Sequence, residues 1–486
     1  MEGQNQNDHE ERNDKTEIKL YRRRWLLLLT LSTVAMIGGF DGVAYGQISN
    51  ILVAFFRVGY VAVDWLTLGL NVGPFLLTVP LSWLMASKFL KFRMFYVGAC
   101  FIGTAAYCFL ATSVVKPSLF SLMICGQLLN SFAGAVISAA PTIFAALWFP
   151  ENQVGTAIGA VVMSTHLGGI LGLTIPTNIL AQPTNQGNTT FANETNGSWF
   201  AEDQIKIGAI FATMVLMYFI CDIFLFIYFT DRPPAPPTKA QELKIESDQF
   251  SGFLSLKAYI DLLKTLFKNK NYILSCVACG ILNQANMVEI TMLSQILRHD
   301  FKANVNIRRH ADVLGGYIMT VSSVSSLIGS IVGGKLVDRY KRYDVITIMS
   351  FLLGFASSLG LLFAFFFKSL PMWFVFTALY GFFRQPGGIA FMDVVTQETY
   401  PMDEMFVTIW LIWFLTLISI LFGEIGRVIF NSVGSFPVLI FQSSYLLIGA
   451  LLSCFMKLQN KRLNVETSSA LPQAQFDERT ALMTDE

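Results

Sequence analysis

Asp41, His166, Glu289 and Arg384 each interrupt a strongly apolar run of membrane-spanning length. Charge deep in hydrocarbon costs on the order of 3 kcal/mol or more per group on insertion scales, so such residues face a protein interior or a water-filled path rather than lipid. A carboxylate there can take a cation or a proton. An imidazole, with an unperturbed pKa of about 6.5, can change charge within the physiological range. A guanidinium can hold a carboxylate or another anion. Together they imply a polar path through a membrane, with Asp41 and His166 as candidates for sharing a proton.

Their neighbours strengthen that reading. Asp41 and Tyr45 are four apart and share one helix face. Gly38, Gly39, Gly42 and Gly46 thin the same helix and permit close packing or bending. Asn283, Gln284, Asn286 and Glu289 crowd one stretch, a polar density that rarely faces lipid. Arg384 is followed by Gln385-Pro386-Gly387-Gly388, expected to break its helix near mid-membrane, and broken helices at that depth commonly line substrate sites. Plainer roles stand beside these. His166 could be a core histidine bonded to a neighbouring helix, and Arg384 a structural partner of Glu289 or Asp393. Glu424 and Arg427, three apart, read as an ion pair near the outer face, and the Gly155/Gly159 and Gly168/Gly172 pairs as packing positions.

The elements that must position these groups follow from composition. The chain has 486 residues, 53% hydrophobic and 14% charged, against about 25% charged in soluble domains. A net charge of +1 gives no electrostatic case for nucleic acid. A helix needs roughly 20 apolar residues to cross a bilayer. Such runs lie at about 25–50, 62–87, 94–114, 118–148, 153–181, 205–229, 271–297, 311–334, 344–367, 371–398, 405–430 and 435–456. The expected fold is therefore an all-α membrane protein of twelve spans. Its units are a tail (1–24), a six-helix half (25–230), a linker (231–270), a second half (271–456) and a second tail (457–486). The linker opens with Pro233, Pro234, Pro236 and Pro237 and holds a short amphipathic helix near 252–268. The first 20 residues are polar and the first apolar run is too long for a cleaved h-region, so it reads as a signal anchor.

Lys and Arg placement sets orientation. Arg22, Arg23, Arg24, Lys88, Lys91, Arg93, Arg339, Lys341, Arg342, Lys457, Lys461 and Arg462 fall on one side, read as cytosolic. Arg298, Lys302, Arg308 and Arg309 fall on the other and weaken the bias locally. Three sequons, at Asn188, Asn193 and Asn196, cluster in the loop that this bias places outside, and they are the expected glycosylation sites. All seven Cys lie in apolar segments, so a disulfide framework is not expected, and Cys276 and Cys279 read as packing rather than redox or zinc chemistry. No HExxH, GxSxG or Walker A pattern is present, so neither enzyme chemistry, a metal, a cofactor nor ATP-driven pumping is expected. Glu478 to Met483 approximate an acidic dileucine-type sorting signal.

The loop Gly334-Lys335-Leu336-Val337-Asp338-Arg339-Tyr340-Lys341-Arg342 resembles the G-x-L-x-D-R-x-x-R signature of the major facilitator superfamily. Gly334 would allow close helix approach. Asp338 would cap a neighbouring helix and pair with an arginine, so Gly334, Asp338 and Arg339 are the expected gating residues. The equivalent stretch 86–93 keeps the bases but lacks the acid. Tyr21-Arg22-Arg23-Arg24-Trp25, Ile48-Ser49-Asn50, Asp64-Trp65-Leu66, Ala146-Leu147-Trp148-Phe149 and Glu398-Thr399-Tyr400-Pro401 are similar to the feline leukaemia virus subgroup C receptor family over most of 21–457.

That resemblance implies a carrier of choline or ethanolamine, with haem also proposed for the family and a vitamin B6 form for a relative. It also implies departures at the substrate site. The family's cage Trp on span one falls on Gly42, its Gln on span five on His166, and its span-seven aromatics on Asn286 and Met287; the acid on span ten is kept in kind as Asp393. Cation–π recognition is thereby weakened and the pocket made more polar. The expected substrate set is Asp41, Tyr45, His166, Asn283, Gln284, Asn286, Glu289, Arg384 and Asp393. The expected activity is secondary or facilitative transport of a small organic solute by alternating access. A proton-coupled carrier of another metabolite such as a B vitamin, and a non-transporting receptor, are the alternatives. The expected partners are that solute and the bilayer, for a monomer in the plasma membrane or, alternatively, an endolysosomal one.

Overall fold

A computed structural model describes residues 20–87, 91–180, 197–247, 254–300, 311–465 and 467. The three sequons, Lys88, the 301–310 loop and the 478–483 motif lie outside the described residues. With no water in hydrocarbon to satisfy backbone polar groups, apolar runs of this length fold as helices that bond internally. The long helices are α1 (Arg23–Gln47), α2 (Val72–Ala86), α3 (Phe92–Ser113), α4 (Phe120–Ile137), α5 (Ala140–Trp148), α6 (Val154–Ile179), α7 (Gly197–Tyr228), α8 (Leu256–Lys268), α9 (Lys270–Asp300), α10 (Ala311–Tyr340), α11 (Tyr343–Phe366), α12 (Leu370–Thr399), α13 (Glu404–Val433) and α14 (Ser435–Cys454).

Among the described residues, ten stretches are long and apolar enough to cross a membrane. The two other expected spans, 271–297 and 371–398, form α9 and α12, which carry more polar side chains. The 118–148 span is divided into α4 and α5, with Pro141 in the first turn of α5. The 62–87 span is likewise divided, into a short helix Tyr60–Leu68, a 3-10 turn Gly69–Asn71 and α2. The amphipathic linker helix appears as α8, with the Ser255 hydroxyl accepting from the amide of Ala258 at its start.

One expectation is corrected. Helix α12 runs unbroken from Leu370 to Thr399 through Pro386. Proline in a helix interior loses one bond and crowds the preceding turn, and neighbouring helices compensate in a membrane bundle. Here Gly333 of α10 lies directly against the Pro386 backbone, and Leu282 and Ser350 flank Gly387.

Helix α1 packs along α6, α10 along α6 and α12, α2 against α13, and α9 against α12, α13 and α14. The α1–α6 seam is made by small residues: a Cβ at Gly39 would fall on the Thr165 carbonyl, and one at Gly168 on the Met36 carbonyl. At the α6–α10 seam, a Cβ at Gly155 would lie 2.8 Å from the Gly334 carbonyl oxygen. Both glycine pairs are packing positions, and Gly334 does allow close approach. The seams bring Asp41 on α1, His166 on α6 and Arg384 on α12 to the inside of the bundle.

Candidate functional site

The first cluster forms around Asp41, which is buried in the span-like part of α1. Its Oδ2 accepts from Gln127 Nε2 at 3.0 Å and from Asn130 Nδ2 at 2.8 Å. Both donors come from α4, three apart and hence on one face. Gln127 is the hub: its amide also donates to the Leu66 carbonyl at 2.8 Å, and its oxygen accepts from the Tyr45 hydroxyl at 3.1 Å. Asp41 and Tyr45 are thus tied to one amide from the same helix face. Tyr107 stands beside the same carboxylate and stacks obliquely on Tyr218, 5.4 Å between ring centres. Among the described residues no Lys or Arg is ion-paired with Asp41. A buried charge is tolerated when it is paired and hydrogen-bonded. Asp41 has the hydrogen bonds and, among the described residues, no ion-paired cation.

The second cluster joins helices from opposite ends of the chain. His166 Nε2 lies 2.7 Å from Gln385 Nε2. With the amide nitrogen on that side, Gln385 donates and the imidazole carries its proton on Nδ1. Arg384, the next residue on α12, is buried and donates from Nη1 to the Asn283 carbonyl on α9 at 3.4 Å. The Asn283 amide turns back to the Cys279 carbonyl on its own helix. His166, Arg384 and Asn283 are therefore brought together, with Gln385 as the bridge. Gln284, Asn286 and Glu289 lie on the same helix as Asn283; their side chains are outside the described residues.

Asp393 does not join either cluster. It is eight residues from Gln385, about 12 Å along the helix at 1.5 Å per residue. Its carboxylate accepts from the Tyr343 hydroxyl at 2.7 Å and from Gln397 at 3.3 Å, with Lys341 Nζ at 3.7 Å. Those partners belong to the Asp338 end of the bundle, so Asp393 lies with Asp338 and Lys341 rather than with either cluster.

At that end Asp338 caps α6. It accepts from the backbone amides of Gly155 and Thr156, each at 2.7 Å, and from the Thr156 hydroxyl at 2.5 Å. The first amides of a helix have no internal partner, so a carboxylate there is favoured by hydrogen bonding and by the helix dipole. The expected arginine partner is replaced by Lys341, 3.8 Å away, while Arg339 lies exposed over the Tyr340 ring. Glu424 and Arg427 do pair, at 3.8 Å, and are half-exposed.

Several working groups escaped the sequence reading. Arg462, almost fully buried, lies with Nε 2.6 Å from Glu151 Oε1 and donates to the Ala146 carbonyl at 3.0 Å. Gln397 donates to Glu151 at 2.9 Å and accepts from the Leu463 amide at 3.0 Å. Glu398 accepts from the amides of Gln459 and Asn460. The segment after α14 is thereby strapped across the ends of α5, α6 and α12. Buried Asp222 on α7 accepts from the Thr104 hydroxyl; it interrupts an apolar run as Asp41 does, and that signal was available. Far from Asp338, a second apolar cluster sets Val43 and Leu173 against Leu293, Leu297 and Ile318. The polar clusters lie between two regions where helices 23–179 meet helices 270–340.

Known proteins add to this geometry. The chain is 27% identical over 459 residues to the human choline/ethanolamine transporter FLVCR2, covering 93% of this chain and 81% of that one. It is 28% identical over 460 residues to the choline/ethanolamine transporter flvcr2a of Danio rerio, covering 92% and 90%. A solved structure of the transporter FucP in the outward conformation superposes with a TM-score of 0.66 at 12% identity, covering 90% of this chain and all of that one. The proton:xylose symporter XylE superposes with a TM-score of 0.63 at 11% identity. These likenesses to solved structures show the fold. The family model for the Major Facilitator Superfamily matches residues 27–405, and with helices of this length and packing the chain belongs to that superfamily of multi-pass membrane transporters.

Proposed function

We propose that this chain carries a small organic ammonium ion of the choline or ethanolamine kind by alternating access. Two six-helix halves, 25–230 and 271–456, would rock about the polar clusters, with twelve spans and the Asp338 end in the cytosol. The carrying observation is Asp41: a buried carboxylate held by two amide donors, with no ion-paired Lys or Arg among the described residues. Such a site is completed by a ligand that brings positive charge. Relatives named for choline and ethanolamine transport support the same class. Gly42 in place of a caging aromatic favours recognition by charge and hydrogen bonding over cation–π contact.

Tyr45, His166, Asn283 and Arg384 would complete the site, with Gln284, Asn286 and Glu289 on the adjoining turn of α9. Gly334, Asp338 and Arg339, joined by Asp393 and Lys341, would control the cytosolic gate. A second reading, proton-coupled carriage, rests on His166, whose ring nitrogen meets Gln385 from across the bundle. Protonation of that nitrogen would replace an accepted hydrogen bond by a clash of donors, so the contact is built to respond to proton binding. The protein would act as a monomer in the plasma membrane. Uptake of radiolabelled choline and ethanolamine by wild type and Asp41→Asn in proteoliposomes tests the reading; full transport by the variant removes Asp41 from the site.

A further inference from the structure

A separate cavity of about 500 Å³ lies at the Asp338 end of the bundle, away from both polar clusters. Its wall is drawn from four elements: Lys268 at the end of α8, Lys270 and Asn271 at the start of α9, Glu398 at the end of α12, and Lys461 beyond α14. The volume falls in the range of about 300–1,000 Å³ usual for small-molecule sites.

Three lysines from three elements converge here, and among the described residues none is ion-paired. Like charges gathered without a counterion repel one another. The one acid in the wall, Glu398, is already engaged by the amides of Gln459 and Asn460 and by Asn271 Nδ2 at 3.3 Å. The first turn of α9 adds a helix N-terminus, which favours anions. The net balance of three lysines and one carboxylate suits a ligand with at least two negative charges.

The neighbourhood sets the depth of the cavity. Helix α8 exposes Leu256, Ile260 and Phe267 beside Lys257 and Lys264. That pattern belongs to a helix lying in the plane of a membrane surface. It is anchored by a hydrogen bond between the Tyr259 and Ser82 hydroxyls at 2.8 Å and by Phe267 edge-on to Trp410. The cavity at its C-terminal end therefore opens at headgroup level.

We propose that this cavity binds a multiply phosphorylated polyol, supplied either as the headgroup of an inner-leaflet phosphoinositide or as a free inositol phosphate. The occupant would join α8, α9, α12 and the segment that carries Arg462, and so favour the state in which the Asp338 end is closed.

The test uses purified full-length protein and a binding readout independent of transport. The probes are inositol hexakisphosphate in solution, with sulfate at matched ionic strength as control, and phosphatidylcholine vesicles with and without phosphatidylinositol 4,5-bisphosphate. The variants are Lys268→Gln/Lys270→Gln/Lys461→Gln and, outside the cavity wall, Lys257→Gln/Lys264→Gln. The cavity triple should weaken binding of the soluble probe about a hundredfold, taking the usual contribution of a lysine near an anionic group, and the α8 double should bind that probe nearly as wild type. Binding of the soluble probe supports a free ligand; binding of the doped vesicles alone supports the lipid. Binding of neither probe, equal binding of sulfate, or equal loss in both variants overturns the site.

Discussion

Arg462→Met tests whether the segment after α14 holds the Asp338 end shut. Methionine keeps most of the apolar stem and removes the charge. Arg462 is 1% exposed, with its guanidinium 2.6 Å from Glu151 and hydrogen-bonded to the Ala146 carbonyl. Removing one partner of a buried ion pair costs about 3–5 kcal/mol. Glu151 is 11% exposed and keeps its bond from Gln397, so the low end, about 3 kcal/mol, is the appropriate figure. These contacts exist only while 457–465 is docked. Their loss should shift the closed-to-open equilibrium roughly 150-fold, at about 1.4 kcal/mol per tenfold. Hydrogen exchange read by mass spectrometry follows this directly. The amides of Gly155, Thr156, Gln459, Asn460 and Leu463 are donated to side chains at this end. Their exchange should accelerate tenfold or more, while α3 and α4 keep wild-type protection. Unchanged exchange at those five amides, or an equal rise throughout the bundle, would refute the strap.

Other consequences are equally open to measurement. Asp338→Ala should cost about 0.5–2 kcal/mol through the α6 cap; it should speed exchange at Gly155 and Thr156 and alter transport with surface expression kept, and normal values for both would remove Asp338 from gating. Gly168→Val forces a Cβ onto the Met36 backbone and should cost about 1–3 kcal/mol of stability or more, read as a lower Tm; Gly208→Val, in open space on α7, should be nearly silent, and equal effects would argue against the α1–α6 seam. Enzymatic deglycosylation should shift the mass of the wild type and not of a variant lacking Asn188, Asn193 and Asn196; modification between 231 and 270 would invert the orientation.

How much of this was legible follows from what each residue signals on its own. Asp41 was visible because charge in an apolar run has few tolerable settings. Its donors were not: Gln127 and Asn130 sit in an ordinary apolar helix, and an uncharged amide there looks the same whether it packs or binds. Asp338 was visible through the spacing of its loop, yet the loop alone could not show that Lys341, rather than an arginine, stands beside it. Asp393 was assigned by kind and not by depth, and two helical turns separate it from Gln385. Arg462 lies just past the last span, where a basic residue ordinarily signals orientation; only the folded chain reveals that it turns inward. Pro386 looked like a break because its cost is local, while the close packing of Gly333 against it comes from a distant helix.

The most direct measurement is saturable uptake of radiolabelled choline and ethanolamine into proteoliposomes holding the purified chain, wild type beside Asp41→Asn. A charge-assisted contact contributes about 2 kcal/mol or more. The wild type should therefore transport at least one of the two amines, and the variant should fall roughly thirtyfold at low substrate while its Tm and exchange pattern hold. Wild-type vesicles that move neither amine, or a variant that transports as well as wild type, would contradict a cation site at Asp41.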